Sequence, residues 1–219
     1  MHCTMQLEAD YIGLRPVVEE EVERAVQVLA NAFKDDVGIE SFSGGSARIA
    51  RDIYRRSIRG CLARGEVYLG LVNDELHGVA LLIAPGADWA FYDQEDFTRD
   101  LSTYLYEWYT YHYMPTYDEL YRNALPSGQR GRRDAWNLKL LAVDPEFQRR
   151  GIGRALLGSI CKQADAGATC VTADVKSPNL VQWFRQSGFA HRAVKNFTSK
   201  DSVGFPLWCM VREPVRQAE

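Results

Sequence analysis

The sequence predicts an α/β protein built on a central mixed sheet. Residues 135 to 175 read strand, helix, strand: Ala135 to Val143 is an apolar run, Gly151 to Ala166 sets Ile152, Ala155, Leu156, Ile160 and Ala164 on one helical stripe, and Thr169 to Val175 is β-branched. Such a unit closes as a right-handed parallel crossover. Val67 to Val72 and Leu76 to Ala84 are β-rich runs separated by Asn73, Asp74 and Glu75, which is hairpin spacing with turn-forming residues, so antiparallel pairing is expected as well. Finally, 219 residues with 46% hydrophobic and 25% charged content suit one large globular domain.

The elements follow in order. Tyr11 to Pro16 alternates as a short strand. Val17 to Phe33 carries Val18, Val22, Val26, Leu29 and Phe33 at helical spacing, and Ser46 to Arg64 repeats the period through Ile49, Ile53, Ile58 and Leu62. Six arginines on the other faces of that second helix (48, 51, 55, 56, 59 and 64) read as a solvated amphipathic face rather than a phosphate patch. After the hairpin the texture changes. Roughly 85 to 134 holds 12 of the chain's 25 aromatic residues without a period of two, as expected of a helical insertion before the fourth strand. Trp136 to Val143 is then a central strand stopped by Asp144 and Pro145. Beyond the crossover come a helix near Asn179 to Gln186, a turn at Gly188 and Phe189 into a strand, and a last strand around Phe205 to Val211. With no internal repeat and no flexible linker, residues 1 to 219 read as a single domain.

Composition excludes several functions. Lys and Arg number 26 against 29 Asp and Glu, a net charge of −3 that argues against a nucleic-acid binder, although GQRGRR (Gly128 to Arg133) taken alone would suit RNA. The longest apolar run, Val79 to Pro85, is far short of the roughly 20 residues of a membrane span. The opening MHCTMQLEAD has no apolar signal core, so a cytoplasmic protein without membrane association is expected. Five scattered cysteines and four scattered histidines signal neither a disulfide framework nor a metal site.

The most informative stretch is Gln148-Arg149-Arg150-Gly151-Ile152-Gly153-Arg154, between a buried strand and a helix. A helix N-terminus presents unpaired N–H groups and the positive end of the macrodipole to an anion. Gly151 and Gly153 let the anion approach the backbone, and Arg149, Arg150 and Arg154 add donors suited to phosphate oxygens. The pattern suits a pyrophosphate. It lacks the Lys-Ser/Thr of a Walker A loop and the third glycine of a dinucleotide fingerprint, where Leu156 stands. A bare GxG that only turns the chain is the plain structural alternative.

LLAVDPEFQRRGIGRALL resembles the acetyl-CoA signature Q/RxxGxG/A of the GCN5-related N-acetyltransferase (GNAT) family. The likeness extends to the strand, helix, helix, hairpin opening and to QWFRQSGF (Gln182 to Phe189), and covers the chain outside roughly 85 to 134. The resemblance implies acetyl-CoA as co-substrate and no metal. It places the pantetheine arm along the freed edge of Leu141, Ala142 and Val143, and the pyrophosphate on the amides of Arg149, Arg150, Gly151, Ile152, Gly153 and Arg154, with Gln148 opening the motif. The thioester carbonyl would accept an N–H near Leu141 or Ala142.

The acceptor would attack directly within a ternary complex, after its ammonium loses a proton. Two departures from the family stand out. The fourth strand offers only Asn137 and Lys139 where many relatives carry a carboxylate. Phe184 stands on the cofactor-side helix where a proton-donating tyrosine is usual. Asp174 is then the candidate base, with a solvated or capping carboxylate as its alternative. Between Pro85 and Tyr121, eight acids and one base lie among the aromatics, and an acidic, aromatic lining would suit a small cationic or aromatic amine. From Arg122 to Lys162, nine bases face three acids. The rival readings are a protein or peptide N-acetyltransferase and an inactive acyl-CoA-binding module. A monomer and a homodimer are equally compatible with the sequence.

Overall fold

The structure, a computed structural model, describes residues 12–88, 94–198 and 204–215. Seven strands form one sheet: β1 (Ile12–Pro16), β2 (Gly65–Val72), β3 (Glu75–Ile83), β4 (Trp136–Val143), β5 (Val171–Val175), β6 (Ala190–Phe197) and β7 (Phe205–Arg212). Their order is β1-β2-β3-β4-β5-β7-β6, with β4 and β5 parallel and the other pairs antiparallel. The predicted mixed sheet and crossover are both present. Tyr11, the expected start of β1, lies outside the described residues.

The helices are α1 (Val22–Ala32), α2 (Val37–Ser43), α3 (Ala47–Arg64), α4 (Gln94–Asp100), α5 (Thr103–Trp108), α6 (Met114–Ala124), α7 (Gln129–Arg133), α8 (Ile152–Ala166) and α9 (Pro178–Arg185). The first helix begins later than its apolar spacing suggested, because Glu19–Glu21 form a 3-10 turn before it. The short α2 has no counterpart in the sequence reading. It is started by Asp36, whose carboxylate accepts from the Ile39 amide at 2.9 Å, and stopped by Gly44 at φ 60°.

Apolar side chains of α1 and α3 cover one face of β2 to β4, including Leu29, Tyr54, Ile58, Leu69 and Leu81. The other face is covered by α8 and α9 through Ile152, Leu156, Ile160, Val181 and Phe184. On β7 the two faces separate cleanly: Met210 joins the α8 side, whereas Leu207, Cys209 and Val211 pack with Tyr117, Leu120 and Tyr121 of α6. The arginine face of α3 is less solvated than expected. Arg55 pairs with Glu23 at 2.5 Å, Arg59 with Glu19 at 2.9 Å, and Arg51 donates to Gln27, so these arginines tether α3 to the first helix and to the 3-10 turn before it. Among the described residues, no helix is long and apolar enough to cross a membrane.

The hairpin turns on Asn73 and Asp74, both at positive φ (51° and 68°), which matches a two-residue primed turn. Farther along it, Gly70 and Gly78 face each other across the strands. Together they leave a notch that the Ile152 side chain of α8 occupies.

Candidate active site

The site begins where β4 leaves β5. These strands pair only through Trp136–Val171, Asn137–Thr172 and Leu138–Ala173; beyond Leu138, β4 has no partner on that side. At the same point the register with β3 shifts, since Leu82 faces Leu138 and Leu81 faces Leu140, and Lys139 is the extra residue of a β-bulge. A bulge twists the strand and re-aims its side chain. The divergence exposes a strand edge along Leu140 to Val143 and opens a cleft of about 1460 Å³ that runs from the α8 loop to the insertion.

At one end of the cleft, Gly151 caps α8 in a left-handed conformation (φ 96°) without a side-chain cap. The first bond of the helix is Ala155 N–H to the Gly151 carbonyl at 2.9 Å, so the Ile152, Gly153 and Arg154 amides have no intrahelical acceptor. A Cβ at Gly153 would meet only Val143 and Trp183 side chains, at 3.6 and 3.8 Å. The loop before the helix is stacked into place: the Arg150 guanidinium lies 4.7 Å over the Phe147 ring, which in turn stacks on His77. Gln148 Nε2 donates to the Val143 carbonyl at 3.2 Å and ties the loop to the end of β4. Arg149, at φ 66°, lines the cleft with Arg154. Exposed helix amides, glycines and two arginines fit a pyrophosphate at this end.

The other end is built by the insertion. A π-helical turn at Tyr109–Tyr113 joins α5 to α6. Tyr109, Tyr113, Tyr117 and Tyr121 recur every four residues, with neighbouring ring centroids 5.8, 5.5 and 5.1 Å apart. The series ends on Asp174 of β5, whose carboxylate accepts from the Tyr117 hydroxyl at 2.5 Å and from the Tyr121 hydroxyl at 2.8 Å. Asn137 extends the network, its Nδ2 donating to Thr172 Oγ1 at 2.7 Å and to the Tyr121 hydroxyl at 3.3 Å. Burial, reinforced by Asp174, holds the Tyr113 and Tyr121 hydroxyls well above 10; burial does the same for Tyr117, against the opposing charge of Arg132. All three are proton donors at neutral pH.

Two cations face this network. The Arg132 guanidinium lies over the Tyr117 and Tyr121 rings, 5.0 and 5.1 Å from their centroids. Lys139 Nζ is 5.6 Å from the Tyr117 ring centroid. Burial first, and the Arg132 charge second, push Lys139 down to about 8, while Asp174 and Cys61 pull the other way.

The structure gathers the residues singled out from sequence into one cleft: Leu141 and Val143 along β4, Gln148, Arg149, Gly151, Ile152, Gly153 and Arg154 at the α8 end, and Phe184 and Asp174 in the walls. Ala142 is buried against the α1 and α3 side, so it contributes backbone only. Arg150 is directed onto Phe147. Phe184 is buried edge-on between Trp183 and Phe189 and has no hydroxyl to offer.

Two expectations are corrected. Asp174 is neither a solvated nor a capping carboxylate, since two tyrosines hold both of its oxygens. Among the described residues, the acids of the insertion do not line the cleft. Asp88 lies 3.7 Å from Arg133, Asp96 pairs with Arg99 at 2.6 Å, Asp118 accepts from Gln129 at 2.5 Å, and Glu119 pairs with Lys195. Trp89, Phe91, Tyr92 and Asp93 lie outside the described residues. Sequence reasoning also missed the tyrosine series and Arg132. The i, i+4 spacing of the tyrosines was the available signal, whereas Arg132 was hidden among the arginines of GQRGRR.

Residues 120–191, which include the α8 loop and both diverging strands, match the acetyltransferase (GNAT) domain. That segment, about a third of the chain, is similar to the GNAT acetyltransferase domain, and the fold around it is the one found in solved acetyltransferases. Among solved structures it is similar to the histone acetyltransferase HPA2 and related acetyltransferase from Corynebacterium glutamicum, with 18% identity over 95% of this chain and 99% of the other and a TM-score of 0.63. It is also similar to mosquito arylalkylamine N-acetyltransferase like 5b, with 18% identity over 93% and 100% of the chains and a TM-score of 0.64. A third is the ribosomal-protein-S18-alanine N-acetyltransferase of Escherichia coli, with 13% identity over 95% and 97% and a TM-score of 0.53. No curated protein matches the sequence.

Proposed function

We propose that the chain transfers an acetyl group from acetyl-CoA to the primary amine of a small molecule held in the tyrosine-walled end of the cleft. The observation that carries this reading is the continuity of the cleft. One opening joins the uncapped start of α8, the freed edge of β4 and a compartment closed by the insertion. A compartment walled by Tyr109, Tyr113 and Tyr117 favours a small acceptor over a polypeptide lying in an open groove.

Bound acetyl-CoA would supply the activated acetyl group, in a reaction that forms a C–N bond and breaks the C–S bond. The Ile152 to Arg154 amides, with Arg149 and Arg154, hold its pyrophosphate. The edge of β4 from Leu140 to Val143 positions the pantetheine arm, and a freed amide there polarises the carbonyl. The proton of the acceptor's ammonium goes to Lys139 rather than Asp174. Lys139 sits on the bulge where the strands part, and its lowered basicity makes the neutral amine accessible near pH 8. Burial and the Arg132 charge lower this value, Asp174 and Cys61 raise it, and the Tyr117 ring faces the amine. The Lys139 ammonium then protonates the departing thiolate, and the remaining excess proton on the acylated nitrogen leaves to solvent as the amide forms.

The test mixes purified protein with acetyl-CoA and a panel of small amines, following thiol release and the shift in melting temperature with acetyl-CoA. Stabilisation with amine-dependent thiol release is expected. Stabilisation without release across the panel favours a binding module, and no stabilisation at millimolar acetyl-CoA overturns the cofactor site.

A further inference from the structure

Among the described residues lining the cleft, Arg132 carries a buried charged-group donor without a partner. Its guanidinium makes no hydrogen bond and no ion pair among the described residues, and its Nε is shut away from solvent without an acceptor. The two tyrosine rings cover a face of the group, which is favourable for a cation. Stacking leaves the N–H donors unanswered, because they lie in the guanidinium plane and point along its edge. A half-buried charge whose Nε has neither solvent nor acceptor is costly, and an arginine fork is suited to two oxygens of one acid.

The nearby acids do not answer it. Asp174 is engaged by the Tyr117 and Tyr121 hydroxyls, and none of the insertion's acids among the described residues lines the cleft. With Arg132 and Lys139 against Asp174 alone, the inner end of the cleft holds an excess of positive charge when Lys139 is protonated. Nor is Arg132 part of the pyrophosphate seat. It precedes β4, whereas the α8 loop follows it, and the eight residues of β4 span more than roughly 20 Å.

We infer that the acceptor carries a carboxylate as well as its amine, and that the carboxylate seats edge-on against Arg132 while the amine lies toward the bulge at Lys139. This inference rests on the acetyltransferase reading of the cleft and names the acceptor's class: a small amino acid or amino-carboxylic acid rather than a polycation. The tyrosine hydroxyls and Asn137, already bonded to one another, would frame the carboxylate without competing for it.

The experiment compares ω-amino acids of increasing length, such as 4-aminobutyrate and 5-aminopentanoate, with the alkylamines of equal length. Wild-type protein, Arg132→Gln and Arg132→Lys are assayed for KM and kcat. In parallel, thermal stabilisation by the acetylated acid, 4-acetamidobutyrate, is measured with CoA present, which needs no turnover. The expected result is at least about tenfold lower KM for the acids in wild type, and a rise of about 30-fold or more for the acids alone in R132Q. R132K is intermediate, having kept the charge and lost the fork. CoA-dependent stabilisation unchanged in both variants shows that they fold. Equal KM for acids and alkylamines, or an equal rise for both in R132Q, overturns the inference while leaving acetyl transfer intact. Arg132-dependent stabilisation by 4-acetamidobutyrate without turnover of any amine upholds the carboxylate seat and overturns acetyl transfer instead.

Discussion

A Cβ added at Gly78 would stand 2.6 Å from Cγ2 of Ile152, the first residue of α8. The facing Gly70 leaves 2.7 Å to the same atom, so the start of α8 rests in a notch two glycines deep. Ile152 opens the helix whose free amides form the anion seat, so the hairpin sets where that seat lies. Gly78→Ala should cost about 1 to 3 kcal/mol of stability by overpacking. It should also raise KM for acetyl-CoA more than KM for the acceptor, as measured by denaturant unfolding and initial rates.

Gly151 caps α8 at φ 96°. Alanine there should cost about 1 to 2 kcal/mol from backbone strain, and acetyl-CoA affinity should fall as the cap distorts. Gly151→Asp adds a negative charge beside the pyrophosphate and should abolish the melting-temperature shift with acetyl-CoA. Retained affinity in G151D would place the phosphates elsewhere.

Lys139 titrates near 8 in the folded protein, below the ordinary lysine value of 10.5. Between those values the unfolded chain binds more protons than the folded one, so stability should rise with pH from about 8 toward 10.5. Lys139→Met should flatten that rise in urea-unfolding series. The rate should climb through about pH 8 as the neutral amine forms, and Lys139→Gln should lower kcat by about 100-fold with its pH step removed. An unchanged pH profile would move the proton acceptor to another group.

Tyr117→Phe removes one of the two donors to Asp174. The carboxylate keeps Tyr121 but loses a charge-assisted bond, so about 1.5 to 3 kcal/mol of stability should be lost. Asp174→Asn should cost a comparable amount. Both are read from thermal unfolding.

Asp165 of α8 holds Arg212 of β7 with two bonds of 2.8 Å and also accepts from the Val215 amide at 2.7 Å. The Arg212 bonds, aided by that amide, keep its carboxyl below the usual aspartate range. Its stabilising contribution is therefore present above about pH 4, the ordinary aspartate value, and lost as pH falls through the lowered value. Acid-unfolding curves of wild type and Asp165→Asn should converge at the acid end and separate near neutrality.

Much of this was legible in sequence, for reasons that differ by element. The α8 loop was readable because its glycines and arginines carry their chemistry locally, and Pro145 marks the strand end. The hairpin was readable because Asn73 and Asp74 tolerate positive φ. The bulge at Lys139 was not, since LKLL has the same letters whether or not one residue is skipped by the neighbouring strand. Charge density misled in the insertion: Asp96 pairs with Arg99 within its own helix, and Asp118 and Glu119 are satisfied by Gln129 and Lys195, partners that only the tertiary fold supplies. Asp174 and the tyrosine series lie more than 50 residues apart in the chain, so no local pattern could join them.

Only three residue pairs connect β4 to β5, so the sheet is two half-sheets joined by a short weld. Any ligand strand laid along the open edge of β4 would act as an extra rung spanning both halves. Occupancy of the cleft and mechanical integrity of the sheet then become one variable, and the empty protein should yield first along that line.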